Sequence, residues 1–550
     1  MESEKELPAA RRKRLLRQFS KVARASLGTG LMGTLFTFPS VLASDLQRNP
    51  TSLYGTPLSM DGLQDLVGSL LMLSSLPGAW LTAVVAMRLG RRRSMMLCGV
   101  VAVLGWLGVA LVPYPAGILT ARCVSGLALG GLSVVVNAYV AELSDDDVRG
   151  MMSMSLNLAI LLGQVFTVAV GYGARYYVVA FINALVPVAF VLFLIWLPES
   201  PSVLVLKDKN EKAKAVLLDL RGSKADVTGE IKSYKEFNSD QQGQESSAWR
   251  KLLQPAVLKN LVVVSALFVL VAFTGFLVVN ANAAQMFQAA GTTVDAELAA
   301  IVLMLVQFGG GLAGFFLTDK IGRKNILYVG FILMTLGLGG MAVYSGLGLG
   351  QKETRSYIQF QPLEGRGGGG GGGEGGMEFL LQPPLPPSPP PYNTTTTTTT
   401  NLTLPLLNIE ERQEEEEVKI VRLAGGETKK EEEEVDMKTV NITKMKGVEE
   451  EGMEVDVLVV GGGGWVPLAC LVVSQTGVSL GVNVMPFILN QEYFPTAIRS
   501  QASGVCFTVW TLATFAVLQL YTPMVNSLTQ AGLYGFYGAV CLLGLPLRLR

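Results

Sequence analysis

Eleven stretches free of Asp, Glu, Lys and Arg punctuate the 550-residue chain, at 25–44, 66–87, 94–121, 123–141, 150–174, 176–198, 260–294, 298–318, 325–351, 457–491 and 500–547. About 20 predominantly apolar residues are enough to cross a bilayer as a helix. The last stretch would be about 70 Å long as one helix, more than twice a bilayer core. Pro523, Asn526 and Ser527 offer a turn that splits it. Twelve membrane helices are therefore expected. Buried helices of a large soluble protein would carry polar faces, which these stretches mostly lack.

Half of the residues are apolar and 16% are charged, with 44 basic and 44 acidic side chains and no histidine. The lack of histidine excludes a His-ligated metal, a Ser-His-Asp triad and a His proton relay. No enzyme, metal or cofactor is expected, and no nucleic-acid partner. The five cysteines, Cys98, Cys123, Cys470, Cys506 and Cys541, lie in apolar runs, which argues against a disulfide framework. The zero net charge averages two unlike parts: residues 351–463 hold 11 basic and 21 acidic side chains, net −10, leaving +10 for the rest.

With the N-terminus in the cytoplasm, the short inside loops and tails hold 30 Lys and Arg, against two outside, Arg48 and Arg175. Basic residues flanking spans stay on the cytoplasmic face, so both termini are placed there. Residues 1–24 carry eight basic side chains, but no cleavage-like site follows 25–44, which reads as a first span and not as a signal peptide. Asn-x-Ser/Thr acceptors occur only at Asn393, Asn401 and Asn441, all in the segment that the charge count places outside, where glycans are added. That segment, 351–463, contains Gly367 to Gly373, Thr394 to Thr400, a proline-rich stretch and the acidic runs Glu414 to Glu417 and Glu431 to Glu434. Such a composition predicts disorder. It reads either as an acidic, glycan-bearing tether or as translated non-coding sequence.

Ordered landmarks repeat along the chain. Arg88-Leu89-Gly90-Arg91-Arg92 follows span two, and Lys320-Ile321-Gly322-Arg323-Lys324 follows span eight. Glu142 lies seven residues before Arg149, and Glu492 seven before Arg499. The separation from Gly90 to Glu142 is 52 residues and from Gly322 to Glu492 it is 170, a difference of 118, of which 351–463 contributes 113. Two matching six-helix halves indicate a parallel duplication, the architecture that rocks around a central site.

With these motifs go Tyr139-Val140-Ala141-Glu142 running to Arg149-Gly150, Pro198-Glu199-Ser200-Pro201, and Glu492-Tyr493-Phe494-Pro495 with Ile498-Arg499; Ala213 to Leu217 ends in Arg221-Gly222. In these the chain resembles the sugar-porter branch of the major facilitator superfamily, in particular arthropod facilitated trehalose and glucose transporters, over about 20–350 and 465–545. The resemblance implies an all-α membrane protein with twelve transmembrane helices in two pseudo-symmetric six-helix bundles. The parts are a basic cytoplasmic tail (1–24), a first bundle (25–198), a cytoplasmic helical linker (199–259), and a second bundle (260–350 and 464–550) interrupted by the insert. The function implied is facilitative sugar transport by alternating access in the plasma membrane, with a hexose or trehalose as solute and the lipid bilayer as the other partner. A carrier of a less polar solute, or a non-transporting sensor, is the alternative.

By the same resemblance, Arg88, Arg91, Arg92, Glu142, Arg149 and Glu199 of the first half, with Asp319, Arg323, Glu492 and Arg499 of the second, would latch the halves together at the inside. Charge pairs suit a gate because they are nearly neutral when solvated and gain when desolvated between helix ends. The family's acidic residue in the first loop is Met87 here, and Ser202 stands where the family has Arg, so a weak inside gate is expected.

Sugar sites use buried amides, which donate and accept at once, beside an aromatic face. The family's three amides in span seven are Val271, Ala272 and Leu277 here, and the indole of span ten is Phe487. Substrate contacts are expected from Asn157, Gln164, Asn282, Asn483, Phe487 and Trp510, with Asn280 and Gln307 as further polar groups. On a continuous helix Asn282 would share the face of Val271 about 16 Å along the axis. The glycine runs 126–131 and 309–314 read as close helix packing. No Asp or Glu lies in 25–44, where proton-driven carriers place one, so uncoupled transport is expected. Asp45, at the outer end of that span, reads as solvated.

Overall fold

A backbone in hydrocarbon has no water to bond, so each apolar stretch must close its own hydrogen bonds as a helix. The computed structural model describes residues 8–60, 62–145, 148–222, 227–235, 254–290, 292, 294–347, 464–494 and 499–545, with five strands between 357 and 459. The side chains of 8–10, 13, 149, 256, 318, 319, 323, 491, 492, 499 and 500, and of the strands, lie outside the description.

The described residues form twelve spans. The first half holds α1 (Pro8–Arg48), α2 (Gln64–Leu89), α3 (Arg91–Leu111), α4 (Pro115–Leu143), α5 (Arg149–Gly171) and α6 (Tyr176–Leu194). A linker of α7 (Pro201–Leu206), α8 (Asn210–Arg221) and α9 (228–235) follows. In the second half, α10 (Pro255–Phe273) and α11 (Phe276–Ala289) form span seven, and α12 (Ala296–Ile321) and α13 (Arg323–Gly346) form spans eight and nine. Span ten is α14 (Val466–Gly477), a π-helical turn (Val478–Val482) and α15 (Met485–Tyr493). Spans eleven and twelve are α16 (Arg499–Gln519) and α17 (Tyr521–Gly544). Eleven of the spans are long and apolar enough to cross a membrane by composition; α17 is not among them. The packing repeats: α1 with α5, α2 with α4 and α3 with α6 correspond to α10 with α16, α12 with α14 and α13 with α17.

Two boundaries differ from the charge-based reading. Spans three and four part at Val112 to Tyr114 and not at Arg122. Val112 and Tyr114 each precede a proline and are extended, as prolines require of the residue before them. Arg122 lies inside α4, fully buried. Its Nη2 donates to Leu35 O at 2.8 Å, its Nε to Val67 O at 3.0 Å, and its guanidinium sits 5.7 Å from the Phe38 ring centroid. The Leu35 carbonyl is free to accept because its helical donor four residues on would be Pro39, which has no N–H. The expected turn at Pro523, Asn526 and Ser527 is instead helix. The chain turns at Leu520, Pro523 sits in the first turn of α17 where its missing N–H matters little, and a kink follows at Thr529 (φ 63°, ψ 172°).

Helices approach closely where glycine faces backbone. A Cβ on Gly163 of α5 would lie 2.0 Å from Gly30 O of α1, and one on Gly33 1.9 Å from Ile160 O. Gly126 and Gly130 of α4 pack likewise on α2, with would-be Cβ atoms 2.4 Å from Leu71 O and 1.8 Å from Ser75 O. In the linker, Leu204, Val205 and Ala213 pack with Val216, Ile231 and Tyr234. Arg221 joins Asp145 at 2.6 Å and Glu230 at 3.0 Å, which ties α8 to the end of α4. Lys21 and Arg17 pair with Asp219, and the Lys21 hydrogen bond holds that carboxyl below the usual range. This tie is complete above the unfolded carboxylate pKa and is lost as pH falls through the depressed folded value.

Residues 347–464 cluster as a separate unit. Within it β1 (Tyr357–Gln361), β2 (Glu378–Gln382), β3 (Ile420–Val421), β4 (Val440–Met445) and β5 (Met453–Val459) form an antiparallel sheet in the order β2-β1-β5-β4-β3. The remainder of 351–463, for which disorder is expected, lies outside the described residues, as do Asn393 and Asn401; Asn441 falls in β4.

Overpacking a helix crossing typically costs about 1–3 kcal/mol. Gly163→Val should therefore abolish recovery of monodisperse protein or lower its melting temperature sharply. Gly309→Ala, whose Cβ meets nothing within 4 Å, should leave both unchanged.

Candidate functional site

The ends of the bundle differ in chemistry. At the basic end, Gly90 (φ 103°) turns α2 into α3, and Gly322 (φ 88°) turns α12 into α13. A side chain at Gly90 would collide with Glu199, whose Oε1 accepts from the Arg92 N–H at 3.0 Å and so caps α3. Arg91 pairs with Glu142 at 3.3 Å, and Arg92 Nη2 donates to Ile195 O at 2.9 Å. Ser202, in place of the family's Arg, donates to Glu142 Oε2 at 2.8 Å beside Ser200, and Tyr139 donates to Pro198 O at 2.8 Å. These bonds of Arg91, Arg92, Glu142 and Glu199 all stay within the first half, where they fix α3, α4 and the α6–α7 corner. Arg88 is exposed. The side chains of Arg149, Asp319, Arg323, Glu492 and Arg499 lie outside the description.

Among the described residues, six hydrogen bonds and ion pairs join the halves at the opposite end. Glu297 of α12 accepts from Arg48 Nη1 of α1 at 3.0 Å and from the Gly173 N–H at 3.2 Å. Asp65 of α2 accepts from the Thr522 N–H at 3.0 Å, at the start of α17. Ser69 donates to Gln519 at 2.8 Å, Gln285 to Gln64 at 3.2 Å, and the Ala284 N–H to Ser40 at 3.2 Å. Beside them Asp45, for which the sequence suggests solvation, is buried and paired with Arg175 at 3.1 Å.

Between these ends, Asn157 and Met154 of α5 face Gly311, Gly314 and Phe315 of α12 and Ser479, Leu480, Val484 and Met485 of span ten. The cleft has about 10 Å³ of free space, room for about one water molecule. Phe487 and Trp510 come together at 5.6 Å between ring centroids, and Phe268 joins them at 4.9 Å from Phe487. Asn483 follows the π-helical turn, its N–H bonded to Val478 O at 3.2 Å. Gln164 is buried with Oε1 unpartnered.

Asn282 does not sit where a straight helix would put it. Span seven breaks at Gly275 (φ 75°), where a Cβ would lie 2.6 Å from the Tyr537 ring, and kinks again at Asn282 (φ −127°). The continuous-helix register between 271 and 282 does not exist. The Asn282 side chain instead donates to Val278 O at 3.1 Å within its own helix. Val271, Ala272 and Leu277 are all buried in the core.

Sequence reasoning misses Glu297 with Arg48, and Gln475. Glu297 borders a charge-free stretch, and Arg48 reads along the chain only as a topology signal. Gln475 lies within an apolar run, where an amide gives no pattern of its own, yet it meets Gln307, which also holds Asn280, in the second bundle.

Comparison with known proteins agrees with this architecture. The facilitated trehalose transporters Tret1 of Anopheles gambiae and Aedes aegypti are each 24% identical over 523 residues, 94% of this chain. The chain spans about half their length, 52% and 51%. The Culex quinquefasciatus Tret1 is 24% identical over 96% of this chain and 82% of its own. The fold matches the xylose transporter XylE from E. coli in its partially occluded inward-open conformation, with a TM-score of 0.63, 16% identity and coverage of 96% and 97% of the two chains. XylE bound to 6-bromo-6-deoxy-D-glucose gives a TM-score of 0.65, 16% identity and coverage of 97% and 95%. The family model for sugar (and other) transporters matches residues 24–359 and 452–547, so the chain belongs to that family.

Proposed function

We propose that this multi-pass membrane protein carries a neutral sugar, such as trehalose or a hexose, down its gradient by alternating access. The observation that carries the reading is the repeated packing of two bundles, which among the described residues are joined by polar ties at the end away from the basic loops, with a cleft lined by both halves beyond them. With the basic end taken as cytoplasmic, these ties lie at the extracellular end. The termini then lie in the cytoplasm, and Asn393, Asn401 and Asn441 on the extracellular side of the plasma membrane.

Opening the opposite end exchanges the ties at Glu297, Asp65 and Ser69 for water, while the basic-end charges close in their place. Because opening replaces each of these bonds by one to water, the net cost is about 0.5–1.5 kcal/mol per bond. The buried cation Arg122 is held by backbone carbonyls and a ring, and the first span offers it no Asp or Glu across 25–44. Proton coupling through such a pair therefore has no acidic member there. A second reading, a less hydroxylated solute, is favoured by one observation: Val271, Ala272 and Leu277 are buried apolar side chains where sugar porters have amides.

In proteoliposomes, glucose or trehalose should equilibrate across the membrane without accumulating, at a rate indifferent to an imposed pH gradient. Uphill accumulation driven by protons contradicts this reading, and flux of only apolar solutes selects the second one. Glu297→Gln removes the ion pair with Arg48. It should speed labelling of a cysteine introduced at Ser69, which is buried in this arrangement, by a membrane-impermeant maleimide, by up to about fivefold. An unchanged labelling rate removes Glu297 from the closure.

A further inference from the structure

The first helix begins well before its membrane stretch. α1 starts at Pro8, while the charge-free run begins only at residue 25. The turns in between have two faces. Arg14, Gln18 and Lys21, at helical spacing, hold the linker: Arg14 Nη1 donates to Arg221 O at 3.4 Å, Gln18 to Leu220 O at 2.9 Å, and Lys21 pairs with Asp219. Arg12, Leu15, Leu16 and Phe19 lie about half a turn round the helix from these. Leu16 and Phe19 are 59% and 51% exposed, and Met151, in the first turn of α5, is 43% exposed. Together with Arg11 they line an open groove of about 550 Å³ between α1 and α5.

Large apolar side chains left open in one strip mark an interaction surface. The polarity of this strip is graded. Met151 stands at the start of the charge-free run 150–174, the border of the hydrocarbon. Leu16 and Phe19 follow outward along α1, and Arg12 precedes them by one and two turns. Acyl chain, glycerol and phosphate succeed one another in the same order across a leaflet. A soluble peptide would have no need of a strip that begins at the hydrocarbon border. Guanidinium forks match phosphate oxygens, and residues 11–24 carry seven Lys and Arg with no acidic side chain among them. Basic clusters on the helix turns just cytoplasmic of a span attract anionic lipid, whereas a zwitterionic headgroup brings a cation that they repel.

We propose that this groove is a docking site for an anionic phospholipid of the cytoplasmic leaflet. Arg11 and Arg12 hold the headgroup phosphate, and Leu15, Leu16, Phe19 and Met151 hold the glycerol end of an acyl chain. Because the other face of α1 is tied to the linker, the bound lipid fastens both to the membrane surface. The site takes the basic end as the cytoplasmic face and stands whichever solute is carried.

The test titrates the full-length chain in detergent with fluorescent phosphatidylserine, and with fluorescent phosphatidylcholine as the zwitterionic probe. Saturable binding of phosphatidylserine is expected, at least about tenfold tighter than that of phosphatidylcholine. Arg11→Gln with Arg12→Gln should weaken it by about tenfold or more, and Leu16→Gln with Phe19→Gln should weaken it independently. Lys212→Gln with Lys214→Gln, which takes the same charge from an exposed part of α8, should change it by less than about twofold. Equal loss from the α8 pair reduces the effect to overall charge and overturns the site, as does binding that survives both groove pairs. In a Leu16→Cys variant, phosphatidylserine should slow labelling by a membrane-impermeant maleimide. Labelling that is slow without lipid and indifferent to it means that another segment of this chain fills the groove, which also overturns the site. No phosphatidylserine binding by the unsubstituted chain overturns the site and leaves the carrier reading untouched.

Discussion

In hydrocarbon a backbone carbonyl without a donor has nowhere else to turn, and the architecture follows from how each such group is answered. Most are closed within the helix that bears them. The exceptions locate the interesting chemistry. Pro39 withholds a donor from Leu35, and Arg122 supplies one from three spans away, so that a buried cation and an orphaned carbonyl satisfy each other. Gly275 breaks span seven, and the π-helical turn at Val478–Val482 loosens span ten. Both irregular stretches border the cleft or the buried amides Asn280 and Gln475.

Close glycine crossings make the bundles rigid units, and rigid units can rock as wholes. Gly30, Gly33 and Gly163 bring α1 and α5 into backbone contact, as Gly126 and Gly130 do for α2 and α4. Across the boundary between halves the contacts are of another kind: a carboxylate with a half-exposed arginine, amides, hydroxyls and helix-end N–H groups. Each of these can be exchanged for a bond to water, at a net cost of about 0.5–1.5 kcal/mol. Tight packing within halves and exchangeable polarity between them is the combination that alternating access requires.

Most of the fold is legible in the sequence because charge is so expensive in a bilayer that its absence writes the spans into the chain. The same rule fails at Arg122, where a charge in the middle of an apolar run looks like a boundary, because the carbonyls and the ring that tolerate it come from α1 and α2 and cannot be seen along α4. The loop glycines Gly90 and Gly322 are legible as a repeated motif, and their positive φ explains why. The candidate site is less so. Phe487 and Trp510 do meet, but a placement of Asn282 that assumes a straight helix fails because Gly275 interrupts it. Gln475 escapes notice because a lone amide has no periodicity, and its significance comes only from Gln307 and Asn280 approaching from two other spans.

The central claim is that two rigid halves expose one cleft to each face in turn. Paired spin labels report this most directly: one pair across the basic end, between α4 and α15, and one across the opposite end, between α2 and α17, in lipid with and without sugar. The account predicts two distance populations for each pair, with the pairs shifting in opposite directions as sugar changes the balance. A single unchanging distance at both ends, under all conditions, would contradict it.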